Sequence, residues 1–197
     1  MAVQAARNEI NGFEALSLML DDYGENLRIT EDVVSAAAGN TRKGAILIST
    51  LLEKRAGEII ITESVVRAAS NNLGNGEEVM TILLKGSWKE FVVSEISTSL
   101  ITKTFGKSTI AVFLDNYGHQ IRVTEEVLKA AARNEQGPES IALLCDKFSD
   151  QIQITEGVLQ AAAENYHHGA MIMRLLSDRY ENQKLWPYFV TNSATSL

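Results

Sequence analysis

One cysteine, Cys145, and two prolines are all that a chain of 197 residues contains of either type. A single thiol closes no internal disulfide, which points to a reducing, cytoplasmic setting. Few prolines, with 13 glycines, suit a helical chain better than one of strands and tight turns. Long apolar runs are missing as well. Nowhere do 18 apolar residues follow one another, which argues against a spanning helix, and no basic-then-apolar leader follows Met1. Basic residues are outnumbered, 18 to 25, leaving a net charge of -7. That is the wrong sign for a phosphate-backbone binder, so neither nucleic acid nor membrane is an expected partner. A phosphate-binding loop, a GxGxxG turn, paired zinc spacing and a nucleophile elbow are all absent. With 45% hydrophobic residues the chain is nonetheless too apolar for a disordered tail.

What is present is repetition. Ile29-Thr30-Glu31-Asp32-Val33-Val34 returns as Ile61-Thr62-Glu63-Ser64-Val65-Val66, as Val123-Thr124-Glu125-Glu126-Val127-Leu128 and as Ile154-Thr155-Glu156-Gly157-Val158-Leu159. A weaker copy begins at Val93, so that successive starts lie 32, 32, 30 and 31 residues apart. Gly12, Gly44, Gly76, Gly106, Gly137 and Gly169 keep the same phase. Two landmarks in step define a repeat protein.

Each unit reads as two helices. Thr30, Thr62, Ser94, Thr124 and Thr155 are placed to cap the first helix with a hydroxyl, and the glutamate after each meets the positive end of the helix dipole. The helix runs through alanines to Asn8, Asn40, Asn72, Asn134 or Asn165, where a left-handed cap is expected. The second helix starts at the in-phase glycine. Four, seven and eight residues later come apolar side chains on one face, such as Ile48, Leu51 and Leu52, or Ile141, Leu144 and Cys145. An acid nine residues after the glycine recurs as Asp21, Glu53, Asp115, Asp146 and Asp178, and is expected to bond to a neighbouring repeat's loop.

Between units, pairs such as Ile59/Ile61 and Ile121/Val123 alternate with period two, a short extended segment with one buried face. Such segments either form a small parallel ladder or remain plain extended loops. A unit of about 31 residues cannot bury its apolar face alone, so neighbours must supply the other wall. The expected fold is all-α: a right-handed α-solenoid of about six two-helix repeats, concave on its narrow, alanine-rich side. The array occupies residues 1–185, with units starting near 1, 29, 61, 93, 123 and 154, and 186–197 form a cap or frayed tail. Aromatics between Leu185 and Val190 suit a lid over the last repeat. The first copy lacks its Thr-Glu cap before Asn8, which fits either a slice of a longer array or an end that packs on another copy.

The pattern Ile-Thr-Glu-(Glu/Asp)-Val-(Val/Leu)-x-Ala-Ala-Ala-x-Asn, followed by glycine and an aliphatic helix, resembles repeats of filamentous fungi. Those occur in large NLR-like (STAND) proteins that carry NACHT-type nucleotide-binding domains or ankyrin repeats and are linked to self/non-self recognition. The resemblance covers about residues 1–185, and five of six copies keep the motif. Residues 93–105 depart most, with Ser99-Leu100-Ile101-Thr102 in place of the alanine run and Thr104 in place of Asn. The resemblance implies a sensor or scaffold array whose signalling domain lies elsewhere.

Chemistry-bearing residues have plainer readings. Cys145 stands in a leucine column (Leu52, Leu84, Leu114) and reads as a buried small hydrophobe. His167 and His168 are adjacent and point apart, and His119 sits alone in a linker, so no metal site is expected. The glutamate column resembles a cation ladder, but dipole pairing accounts for each member. The expectation is therefore no enzyme, no cofactor and no metal. Variation is concentrated on the first helices, at unit positions four, seven and eleven, which share one stripe. Asp32, Ser35, Ser64, Arg67, Ile96, Ser99, Lys103, Glu126, Lys129, Arg133, Gln160 and Glu164 are the candidate partner-binding residues. Arg67, Lys103, Lys129 and Arg133 make that stripe locally basic, suited to an acidic or polar peptide. The expected function is a protein-protein interaction module; the alternative is a structural unit that self-assembles into dimers or filaments through its ends.

Overall fold

The computed structural model describes residues 1–86 and 90–180, so the expected lid and tail at its end lie outside the described residues. Six first helices alternate with six second helices. The first are α1 (Ala2–Arg7), α3 (Glu31–Ala38), α5 (Glu63–Ser70), α7 (Glu95–Thr104), α9 (Glu125–Ala132) and α11 (Glu156–Ala163). The second are α2 (Gly12–Tyr23), α4 (Gly44–Arg55), α6 (Gly76–Lys85), α8 (Lys107–Tyr117), α10 (Gly137–Phe148) and α12 (Gly169–Arg179). Each first helix packs on the first helices of adjacent units, from α1 on α3 through to α9 on α11, and the second helices do the same from α2 on α4 to α10 on α12. The chain is thus a row of helix pairs in two layers.

Side-chain size sets those layers. Ala37, Ala131 and Ala162 are fully buried in the first layer, while Leu47, Ile48, Leu51, Met80, Leu83, Phe113 and Leu144 are fully buried in the second. Complete burial of one such aliphatic side chain stabilises by about 1.5–3 kcal/mol, and the cover comes largely from the next unit. The in-phase glycine joins the layers. A Cβ on Gly76 would stand 2.2 Å from the carbonyl oxygen of Ala69, and Gly12 and Gly169 meet Ala5 and Ala162 in the same way. Only a missing side chain lets the second helix begin against the last turn of the first.

The asparagines do not act as left-handed caps. The residues ending the first helices, Gly39, Asn71, Arg133 and Glu164, are right-handed (φ -82°, -87°, -84° and -70°), and Asn8 is extended. Instead Asn8 folds its own loop, and each later asparagine both folds its loop and ties it to the preceding unit. The Asn72 side-chain oxygen accepts from the Gly74 and Asn75 amides at 3.1 and 3.0 Å, while its Nδ2 donates to the Ala38 and Asn40 carbonyls at 2.8 and 3.0 Å. Asn40 and Asn165 repeat the arrangement. These side chains thus satisfy the carbonyls that a helix end leaves open, one unit away.

The fourth unit lacks the asparagine, and its neighbours compensate. Glu77 accepts from the Gly106 amide at 3.1 Å and from the Thr109 hydroxyl at 2.8 Å, and Gln136 accepts from the Lys107 amide at 3.0 Å. Within α7 the hydroxyls of Thr98 and Thr102 bond back to the Ser94 and Thr98 carbonyls, which is how polar residues tolerate a place among the buried valines and alanines of the other units.

The linkers contain a short 3-10 turn, as at Gly24–Asn26 and Ala56–Glu58, followed by an extended stretch. Among the described residues one parallel pairing forms, between β1 (Ile60–Ile61) and β2 (Glu90–Phe91), with Ile60 opposite Glu90 and Ile61 opposite Phe91. Arg55 holds the previous linker, donating to the carbonyls of Gly24 and Leu27 at 2.6 and 2.9 Å. Three of the five recurrent acids bond to a cation on the next second helix, not to a loop: Asp21 with Lys54, Asp115 with Lys147 at 2.8 Å, and Asp146 with Arg179, while Asp178 pairs with Arg174 of its own helix. The loop lies at the other end of the helix; the residue within reach is the one ten places after the next glycine.

Candidate functional site

The first helices present a face made of what the core does not use. Asp32, Ser64, Arg67, Ile96, Lys103, Glu126, Arg133, Gln160 and Glu164 are exposed on it, and Ser35, Ser99 and Lys129 are half-buried. Positions four, seven and eleven share this face because the valines at five and six and the alanines at eight to ten turn inward. The twelve residues do not form one continuous patch: ten of them gather into three groups, and Ser64 and Lys129 stand apart.

Asp32 and Ser35 line an open cleft of about 320 Å³ with Arg7, Glu9, Gly39 and Ala68. Arg67, Ile96, Ser99, Lys103 and Glu126 line a second, of about 280 Å³, with Leu100 in its wall. Arg133, Gln160 and Glu164 form a polar cluster: Arg133 reaches Glu164 at 2.9 Å and Gln160 donates to it at 3.1 Å. The Arg133 guanidinium holds the Glu164 carboxyl below its usual range. Ser64 belongs to a different contact. Hydrogen bonds from the Thr62 and then the Ser64 hydroxyl keep Glu31 low, with Thr62 at 2.6 Å.

That contact changes the reading of the glutamate column. Glu31 and Glu95 accept from the threonine hydroxyls that open the next first helices, Thr62 and Thr124. Ser94, Thr124 and Thr155 make the expected capping bond to their own helix, whereas Thr30 and Thr62 make none. The column is therefore a coupling between units as well as a partner for the dipole.

The stripe is less basic than its composition. Arg67 pairs with Glu63 at 2.6 Å, Lys129 with Glu126 at 2.7 Å and Arg133 with Glu164. The first two partners stand one helical turn away and were legible at i,i+4 and i,i+3; the third is 31 residues distant and meets Arg133 only through stacking. Lys103 makes no ion pair among the described residues.

Sequence reasoning also missed the loop tips. Leu73 and Tyr166 each follow an asparagine of the row and are 96% and 94% exposed, and Ile10 near Asn8 is 70% exposed. An apolar residue next to a loop asparagine was the available signal. Cys145 is buried, and burial pushes its thiol up from the usual cysteine value, as the leucine column implied. His119 lies against Gln120 at 3.2 Å, and His167 and His168 share the last loop. Among the described residues no helix is long and apolar enough to cross a membrane.

A family model described as a domain of unknown function (DUF7104) matches residues 18–46, 51–80, 112–139 and 143–173, well over half of the chain. Every matched segment runs from one second helix through the linker and the next first helix. The stretch left between the second and third segments contains α7, the helix that departs most from the repeat. No curated protein and no solved structure matches the chain.

Proposed function

The chain belongs to the DUF7104 family, whose function is unknown, and from that premise we propose that it is a non-enzymatic module that binds a protein or peptide along the outer face of its first helices. The observation that carries this is a repeating scaffold that holds backbone, core and inter-unit bonds nearly constant while one face changes from unit to unit. Clefts on that face are lined by the changing residues. In a solenoid such a surface is the one free to specialise. The rod is concave on the alanine side, because the narrow layer takes up less room than the wide one. Its place is a cytoplasmic sensor or scaffold segment of a larger NLR-like protein, a reading supported by the likeness of the repeat to fungal ones.

Reversing Arg67, Lys129 and Arg133 to glutamate tests the binding face. Each is an exposed or half-buried member of a surface pair worth at most about 1 kcal/mol, so the fold survives. The variant is expected to lose the partners that the native chain captures from a lysate of its source; undiminished capture of those partners would end the proposal.

A second reading, assembly through the ends, is favoured by Leu18, which is 62% exposed although its counterparts Ile82, Val112, Leu143 and Leu175 are half-buried. Head-to-tail stacking would, however, set Asp178 against Asp22, in the register where interior units match an acid with Lys54, Lys147 or Arg179. Light scattering over a hundredfold range of concentration separates the two: growth in size supports assembly, and a constant monomer rejects it.

A further inference from the structure

We propose that the cleft of the fourth unit is a recognition pocket for an extended peptide that presents an aliphatic side chain next to a carboxylate. This rests on the reading of the first-helix face as the partner surface and names what that surface recognises. On its outer side the fourth unit departs from the others in one direction, toward larger apolar residues. Where other units carry Asp32, Ser64, Glu126 or Gly157 it has Ile96, and where they carry Ala36, Ala68, Ala130 or Ala161 it has Leu100. The two are four residues apart on α7 and share its outer side. Ile96 is 49% exposed and both line the cleft of about 280 Å³. Of the large hydrophobic residues left exposed among those described, Ile96 is the one that stands on the stripe.

Charge sets the rest of the ligand. Arg67, Lys129 and Arg133 are each matched by an acid within the protein, so they offer an incoming anion little. Lys103, on the cleft wall one turn beyond Ser99 and Leu100, is exposed and makes no ion pair among the described residues. The buried Ser99 hydroxyl beside it has no hydrogen-bond partner in the protein. A carboxylate suits this setting better than a phosphate. One ammonium balances a single charge, and the flanking Glu95 and Glu126 would repel a second. Ile96 and Leu100 then cover the aliphatic side chain, and Lys103 takes the carboxylate.

Fluorescence anisotropy on the full chain tests this with a labelled, end-blocked peptide Gly-Ser-Leu-Asp-Leu-Ser-Ser-Gly. Comparison peptides carry Asn for the acid, or Ala for the leucines. The protein variants are Lys103→Glu, the pair Ile96→Ser with Leu100→Ala, Arg133→Glu elsewhere on the stripe, and, as a control away from the first-helix face, Arg174→Glu on α12. The paired substitutions install residues that other units already use, which keeps the fold, and circular dichroism checks it. Binding of the acidic leucine peptide is expected to weaken at least tenfold with either comparison peptide and with either cleft variant, and to be unchanged by Arg174→Glu. Equal binding of the acidic and amide peptides overturns the proposal, as does insensitivity to the cleft variants. Absence of binding at millimolar protein overturns it too. Binding that responds to Arg133→Glu but not to the cleft variants removes the pocket and leaves the wider partner face standing. Failure of that wider reading shows separately, as undiminished lysate capture by the triple reversal.

Discussion

At the scale of single residues, two positions carry more of the architecture than their size suggests. An asparagine such as Asn72 makes bonds in both directions, closing its own loop and ending the helix of the unit before it, while 5% exposed. Buried polar groups left without partners cost roughly 1–3 kcal/mol each, which is why the amide recurs. The in-phase glycine acts by contact alone. Gly76→Ala would force a methyl to 2.2 Å from a backbone oxygen that cannot move without shifting the helix. We expect a loss of about 1–3 kcal/mol, the usual cost of overpacking. Gly57 has nothing within 4 Å of the same position and no positive φ. Gly57→Ala should be neutral or stabilise by about 0.4–1 kcal/mol through the unfolded chain. Urea melts of both variants check the contrast, and equal effects would contradict the close-contact account.

Elements are joined across units by carboxylates. Glu31 is held below the usual glutamate range by the Thr62 and Ser64 hydroxyls and Glu164 by Arg133, each across a unit boundary, and Glu58 is held low within its own unit by the Arg55 guanidinium. A depressed folded-state value means stability that is complete above the unfolded value, about 4.3 for glutamate, and is lost as pH falls through the lower folded values. The melting temperature should therefore hold from pH 7 to 5 and fall below about pH 4.3. Replacing Glu31 and Glu58 together by glutamine should lower the plateau slightly and flatten the acid limb. Calorimetry between pH 3 and 7 decides; an acid limb as steep as that of the native chain would show that other groups govern it.

Across the whole molecule, stability is a chain of nearest-neighbour terms, because the main contacts of each helix lie in its own unit and the units beside it. Phe113 sits at the most idiosyncratic junction, fully buried, with its ring 5.9 Å from Phe91 and 6.1 Å from Tyr117. Phe113→Ala should cost about 3–5 kcal/mol and uncouple the two halves. Hydrogen exchange would then show α3 and α4 protected while α8 and α9 open. Uniform loss of protection along the chain would mean that the array folds as one cooperative block.

The period of about 31 residues, the pairing of helices, the inward columns and the varied outward face were all legible in the amino-acid order, since each depends on residue spacing along a helix and that spacing is local. Tertiary structure alone decided the partners of the recurrent groups. The acid after the second helix, the amide at the loop and the glutamate at the helix start each bond to a unit some 30 residues away, and no spacing within one unit says which atom waits there. The same holds for charge: Arg133 reads as a free cation until stacking brings Glu164 to it, whereas Lys103 is left unpaired only once every neighbour has been placed. Local periodicity specifies what a helix hides; contact between units specifies what its exposed side still has to offer.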